Sequence, residues 1–153
     1  MKEMYKGIDI VIFDVMGVIV RKRFLEKLSI DKDLYEYLSF LEEHGIKKGI
    51  LSNMPKEWWK YFSNKFSLTE YFDSVVLSGE VGIRKPDKEI YLEFERRSGV
   101  PFNKSLFIDD KLSNLEAAAK FGVKTVQFKR SDKKGKRGGF HPDYVVRGFT
   151  KLF

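Results

Sequence analysis

The sequence predicts one α/β domain over residues 1–153, with a parallel sheet doubly wound by helices into three layers. Three observations predict it. Strand-length apolar runs alternate with stretches whose apolar residues recur at helical spacing, the order that builds β-α-β crossovers. The first run, Ile8 to Phe13, reads as a strand covered on both faces. Several of the runs end on an acid or on Ser-Asn, and right-handed crossovers bring the carboxyl ends of parallel strands to one rim.

The first run, Ile8 to Phe13, is rich in β-branched residues and meets Asp14, with Gly17 just beyond. It reads as the buried strand around which the chain is organised. RKRFLEKLSIDK follows as a short basic and apolar connector. Leu34, Tyr37, Leu38 and Leu41 form a stripe that predicts a helix from Asp33 to His44, ended by Gly45. Ile46 to Leu51 is a second strand, running into Ser52 and Asn53. Pro55 opens a helix as a first-turn residue, and its Trp58, Trp59, Phe62 and Phe66 are expected as core and cover for the sheet. Ser74 to Leu77 reads as a short strand and SGEVGIRKP as a loop.

Pro86 starts the next helix, with Ile90, Tyr91, Phe94 and Arg97 on a mixed face up to Gly99. Ser105 to Ile108 is another buried strand, ending in Asp109 and Asp110. Leu112 to Phe121 is a helix whose small face, Ala117 to Ala119, allows close packing, and Gly122 is its left-handed terminator. Val123 to Phe128 is a strand, and Tyr144 to Val146 an edge strand.

Composition narrows the chemistry. The chain has no cysteine, which excludes disulfides, thiolate metal sites and cysteine nucleophiles. Lys2, Glu3, Lys6 and Asp9 interrupt any signal-peptide pattern. No apolar segment approaches the roughly 20 residues that span a bilayer. The expectation is a soluble, cytoplasmic protein without membrane partners. Net charge is +7, and KRSDKKGKR, Lys129 to Arg137, supplies +5 of it with six basic residues and one acid. Such a run is more often a solvated loop than a nucleic-acid contact, and no aromatics interleave with it. Nucleic-acid association stays as a minor alternative, marked by steep salt dependence. His44 and His141, the two histidines, are expected on the surface.

The strand-end rim collects Asp14, Ser52, Asn53, Asp109 and Asp110, and the loop carrying Arg84 and Lys85 reaches it. Converging carboxylates repel one another, and a hard divalent cation is the usual remedy. Mg²⁺ takes few protein carboxylates and binds substrate phosphate as well. Lys85, the Ser52 hydroxyl and backbone N–H groups after Asp14 would complete an anion cradle. This set points to phosphoryl transfer with an aspartate nucleophile.

Four segments then carry a family resemblance: FDVMGVIV, ILSN, SGEVGIRKPDKEIY and LFIDDKLSNLEAAAKFGV. In this order and spacing the chain resembles the haloacid dehalogenase-like (HAD) hydrolase superfamily over nearly its whole length, closest to its phosphatase-like branch. The resemblance implies a Rossmann-like core with Asp14 attacking phosphorus to form an aspartyl-phosphate. It implies Mg²⁺ held by Asp14, Asp110 and the Met16 carbonyl, with Asp109 assisting directly or through water. Ser52 would bind a phosphoryl oxygen, and Lys85 would balance charge on nucleophile and phosphate. Asn53 would support substrate binding, and Asn114 would orient the acidic loop.

Two departures qualify that picture. Most phosphatases of the superfamily carry a second Asp where this chain has Met16. A thioether neither protonates a leaving group nor activates water, a contribution on the order of 10²–10⁴-fold. Dehalogenation also starts from Asp but has no use for Mg²⁺, and the retained Asp109 and Asp110 rank it low. Relatives also insert a helical cap between the first two motifs, whereas Val20 to about Asp33 is too short for one. An open rim fits a large phosphorylated substrate, or a second copy of the chain as cover; a small phosphorylated substrate is the other choice. The rival reading is a non-catalytic relative that keeps the pocket for phosphate and metal binding or scaffolding.

Overall fold

The computed structural model describes residues 2–21, 28–130 and 139–153. Its core is a six-stranded, all-parallel sheet in the order β5-β4-β1-β6-β7-β8. These strands are β1 (Ile10–Phe13), β4 (Lys47–Ser52), β5 (Ser74–Leu77), β6 (Ser105–Asp109), β7 (Lys124–Phe128) and β8 (Tyr144–Val146). The other two strands among the described residues, β2 (Val20–Arg21) and β3 (Ser29–Ile30), pair antiparallel as a small separate ribbon. The doubly wound architecture and the edge position of residues 144–146 agree with the sequence reading.

Alternation along each strand divides the core between two faces. In β1, Val11 and Phe13 join one cluster while Ile10 and Ile12 join the other, and all four are buried. The first face is covered by α1 (Asp33–Glu43), through Leu34, Tyr37, Leu38 and Leu41, and by α2 (Lys56–Lys65), through Phe62. The second is covered by α4 (Lys88–Ser98), through Ile90, Tyr91 and Phe94, and by α5 (Leu112–Ala119), through Leu115 and Ala118. Helices on both faces bury both sides of the central strand, which is why β1 carries no polar alternation.

Three local expectations change. SGEVGIRKP is not all loop: Ser78–Val81 closes one helical turn, α3, by a bond from the Gly82 N–H to the Ser78 carbonyl at 2.9 Å. Trp58 is half exposed rather than core, while Trp59 packs edge-on against Phe72 with ring centroids 5.6 Å apart. Adjacent residues on a helix point about 100° apart, so two neighbouring tryptophans cannot both face the sheet. The connector after β1 contains the β2–β3 ribbon; its residues 22–27 lie outside the described set. So do residues 131–137 of the basic run, although Lys129 and Arg130 are described. His44 and His141 are exposed, and Gly122 adopts φ +88° after α5, as a left-handed terminator does. No helix among the described residues is long and apolar enough to cross a membrane.

The topology positions the site. From β1 the chain winds outward to β4 and β5 on one side, then returns to add β6, β7 and β8 on the other. The crevice beyond the carboxyl end of β1, where winding reverses, is where open α/β sheets place ligands.

Candidate active site

Register brings three strand ends level. Phe13 pairs with Ile50 of β4 and with Ile108 of β6, so Asp14 emerges between the ends of both neighbours. Ser52 is the last residue of β4 and Asp109 the last of β6. Asp14, Ser52 and Asp109 are all buried, and a ligand oxygen from each of Asp14, Asp109 and Asp110 lies within 4.8 Å of the others.

Lys85 arrives from the loop between α3 and α4 and is itself buried. Its ammonium donates to Asp14 Oδ1 at 3.0 Å, to Asp109 Oδ2 at 2.8 Å and to the Leu51 carbonyl at 2.8 Å. It also lies 5.2 Å from the centre of the Phe107 ring. Three charge-assisted acceptors satisfy the three donors of an ammonium. The Ser52 hydroxyl makes a longer bond to the same Asp14 oxygen, at 3.3 Å.

Supporting groups fix these charges. Asn53 accepts from the Lys85 N–H at 2.8 Å and donates to the Lys85 carbonyl at 3.0 Å, a two-point clasp on the lysine's main chain. Sequence reasoning placed Asn53 with the substrate; its side-chain amide here bonds the Lys85 main chain at both ends. Asn114 donates to Asp109 Oδ2 at 3.1 Å, and the Lys111 N–H donates to Asp109 Oδ1 at 2.9 Å. The Asn114 main chain is held in turn by the Tyr91 hydroxyl at 2.8 Å. The expected orienting role of Asn114 thus acts on Asp109.

Gly17 shows why the loop after Asp14 needs that residue. It sits at φ +91°, and a Cβ there would fall 2.5 Å from Asp110 Oδ2. Only glycine takes this conformation while leaving the carboxylate its place. Met16 is half-buried and packs its side chain against the core.

Burial dominates the electrostatics. It pushes the Asp14 carboxyl up to about 7, with Asp109 and Asp110 adding to the rise and Lys85 opposing it. Burial alone would lower Lys85, but Asp14 and Asp109 outweigh it and hold the ammonium above its ordinary value. Asp14 and Asp109 share the Lys85 ammonium, and the Asp110 carboxylate lies close to both. All-oxygen donors without histidine or cysteine, gathered this closely and proton-hungry at Asp14, fit Mg²⁺.

A family model for haloacid dehalogenase-like hydrolases matches residues 8–128, the span from the strand before Asp14 to the end of β7. The chain belongs to that family. Among curated relatives of this HAD-like chain, glyceraldehyde 3-phosphate phosphatase of Methanopyrus kandleri is 31% identical over 101 residues, covering 64% of this chain and 42% of that protein. Phosphorylated carbohydrates phosphatase of Thermotoga maritima is 29% identical over 106 residues, 69% of this chain and 49% of that protein. The chain therefore matches less than half the length of these two relatives. Among solved structures, a HAD phosphatase from Thermococcus onnurineus superposes with a TM-score of 0.82 at 21% identity, covering 95% of this chain and 96% of that one. L-2-haloacid dehalogenase from Xanthobacter autotrophicus gives 0.82 at 15% identity, with the same 95% and 96% coverage. At such identities the likeness is one of fold.

Sequence reasoning missed three features: the Asn53 clasp on Lys85, the contact of Gly17 with Asp110, and the reach of Arg130 to the Gly17 and Val18 carbonyls. A glycine three residues after a strand-end aspartate was the available signal for the second. The other two join residues 32 and 112 or 113 positions apart, and no local pattern announces them.

Proposed function

We propose that this chain is an Mg²⁺-dependent phosphatase that hydrolyses a phosphate monoester through an aspartyl-phosphate on Asp14. The observation that carries the reading is the buried Lys85 ammonium held between Asp14 and Asp109, with the Ser52 hydroxyl on the same Asp14 oxygen. The phosphatase names of its relatives support the same reaction class. Held by Asp14, Asp110 and the Met16 carbonyl, with Asp109 assisting, Mg²⁺ would supply the positive charge that accumulating phosphoryl oxygens need.

The chain's own residues account for the rest. Lys85 and Ser52 both bond Asp14 Oδ1, which leaves Oδ2 to attack phosphorus. The ester P–O bond breaks with its electron pair on the departing oxygen. Ser52 turns its hydroxyl to a phosphoryl oxygen, and Lys85 offsets charge on Asp14 and the transferring group. The departing oxygen takes its proton from water, because the Met16 thioether has none to give. A water then attacks phosphorus and gives its proton to solvent, the P–O bond to Asp14 breaks with its electron pair on the carboxylate, and phosphate and free Asp14 result. Loss of a positioned acid and base costs on the order of 10²–10⁴-fold, so turnover is slow. The span between the first two motifs leaves no room for a cap, so we assign the rim to a large phosphorylated substrate or to cover by a second copy.

Met16 also favours a second reading, in which the pocket binds phosphate and metal without turnover. Phosphate release from an aryl phosphate with Mg²⁺ separates the two, comparing wild type, Asp14→Asn and Met16→Asp. Activity in wild type that needs Mg²⁺ and vanishes in Asp14→Asn supports the enzyme. A silent wild type beside an active Met16→Asp means an intact pocket that has lost its acid. Silence in both, with Mg²⁺ still bound, gives the second reading the lead.

A further inference from the structure

Arg130 is the second residue of the basic run that the sequence assigns to solvent, yet its guanidinium is engaged on three sides. Nη2 donates to the Val18 carbonyl at 2.6 Å and Nε to the Gly17 carbonyl at 3.4 Å. Nη1 donates to Asp31 Oδ2 at 2.6 Å, and the group lies over the Phe128 ring at 4.6 Å. The other Asp31 oxygen, Oδ1, takes Arg21 at 2.8 Å through Nε and at 2.5 Å through Nη2. Arg21 belongs to β2, Asp31 follows β3, and Arg130 follows β7. One carboxylate thus ties the β2–β3 ribbon to the segment after β7, and Arg130 ties both to the loop after Asp14.

That loop needs an outside hold. Its internal bonds run from Gly17 N–H to the Val20 carbonyl at 2.8 Å, and from the Val18 and Val20 N–H groups to the Val15 carbonyl at 3.2 and 2.9 Å. The Gly17 and Val18 carbonyls are the ones Arg130 takes. Gly17 is also the residue against which Asp110 rests, with no room for even a Cβ between them. A shift of the Gly17–Val18 peptide therefore moves the surface that seats the Asp110 carboxylate.

We infer that Arg130, paired with the Asp31 it shares with Arg21, is a positioning residue that sets the Asp14–Val20 loop for the cation site. The inference rests on the Mg²⁺-dependent reading above. Arg130 touches neither Asp14 nor substrate; it acts through the two carbonyls. Lysine keeps the charge beside Asp31 but lacks the fork that serves both carbonyls and the carboxylate at once.

The test combines amide hydrogen exchange at Gly17, Val18 and Val20 with Mg²⁺ titration by calorimetry. It uses the whole chain as wild type, Arg130→Gln, Arg130→Lys and, as control, Arg97→Gln. Arg97 is another multiply bonded arginine, held by Glu93 and Glu80 on a different face. The expected result is tenfold or faster loop exchange in Arg130→Gln, unchanged exchange in β4 and β6, and Mg²⁺ affinity down about 10–100-fold, the range for groups that orient ligands from behind. Arg130→Lys regains thermal stability while its loop exchange stays raised, and Arg97→Gln leaves both loop exchange and Mg²⁺ binding as in wild type. Unchanged loop exchange in Arg130→Gln overturns the inference, as does faster exchange with Mg²⁺ affinity equal to wild type. Faster exchange in a protein whose wild type binds no Mg²⁺ supports Arg130 as the hold on the loop and refutes the Mg²⁺-dependent reading instead.

Discussion

Replacing Lys85 with methionine removes one charge while keeping nearly the same volume, so the consequence is electrostatic rather than a cavity. Asp14 and Asp109 lose the ammonium that lies 3.0 and 2.8 Å from them, and the Leu51 carbonyl loses its 2.8 Å donor. Breaking a buried pair by removing one partner costs about 3–5 kcal/mol. For a chain of this size that lowers Tm by roughly 6–20 °C in metal-free buffer at pH 8. The sign of the pH dependence follows from Asp14. Its folded-state carboxyl stands near 7, above the ordinary value of 3.8, so the folded state holds the proton more tightly. The stability this contributes is present below pH 4 and is lost as pH rises through 7. Lys85 opposes that rise, so its loss moves the Asp14 titration still higher, and the deficit of Lys85→Met is greatest above pH 7 and shrinks towards pH 5. Urea denaturation of wild type and variant at pH 5, 7 and 8, without divalent cations, measures it. Equal stability at pH 8, or a deficit unchanged across the three, would refute the argument that Lys85 is the counterion of a buried carboxylate pair.

Three further outcomes follow from the same geometry. Gly17→Ala places a methyl 2.5 Å from Asp110 Oδ2 in a left-handed conformation; Mg²⁺ affinity by calorimetry falls about 10–100-fold, and affinity equal to wild type would show that Gly17 does not seat the carboxylate. Asn53→Ala removes both bonds to the Lys85 main chain, at about 1–3 kcal/mol for the pair, read by thermal denaturation, with phosphate release from an aryl phosphate falling alongside. For Asp31, burial would raise the carboxyl, but Arg130 and Arg21 outweigh it and hold the group below its ordinary value. Its contribution is therefore present above pH 4 and lost as pH falls further. Asp31→Asn is less stable than wild type at pH 7, and the gap narrows towards pH 3 in urea titrations.

What was legible in the sequence, and what was not, divides by range. The convergence of Asp14, Ser52 and Asp109 is written in the chain itself, because parallel strands joined by right-handed crossovers must end at one rim. The strands were legible because both faces are covered, so β1, β4 and β6 carry apolar runs that surface strands do not. The β2–β3 ribbon was not, since two residues per strand are too few to show a period. The exposure of Trp58 beside the packed Trp59 depended on the rotation of α2 about its axis, which the aromatic content of that helix does not specify.

The sequence by itself determined the sheet, the strand ends and the acids, lysine and serine that gather there, because each follows from local periodicity and from the direction the chain must run. Tertiary structure decided how those groups are held: Asn53 on the Lys85 main chain, the choice of Asp109 as the acid that Asn114 bonds, and Arg130 on the Gly17 and Val18 carbonyls. Two of these holds join residues far apart in the chain, and in all three the amide or guanidinium settles on whichever acceptor the finished fold presents. Composition could count Arg130 among the basic residues of a loop. Only the finished fold could bring its guanidinium onto the Gly17 and Val18 carbonyls.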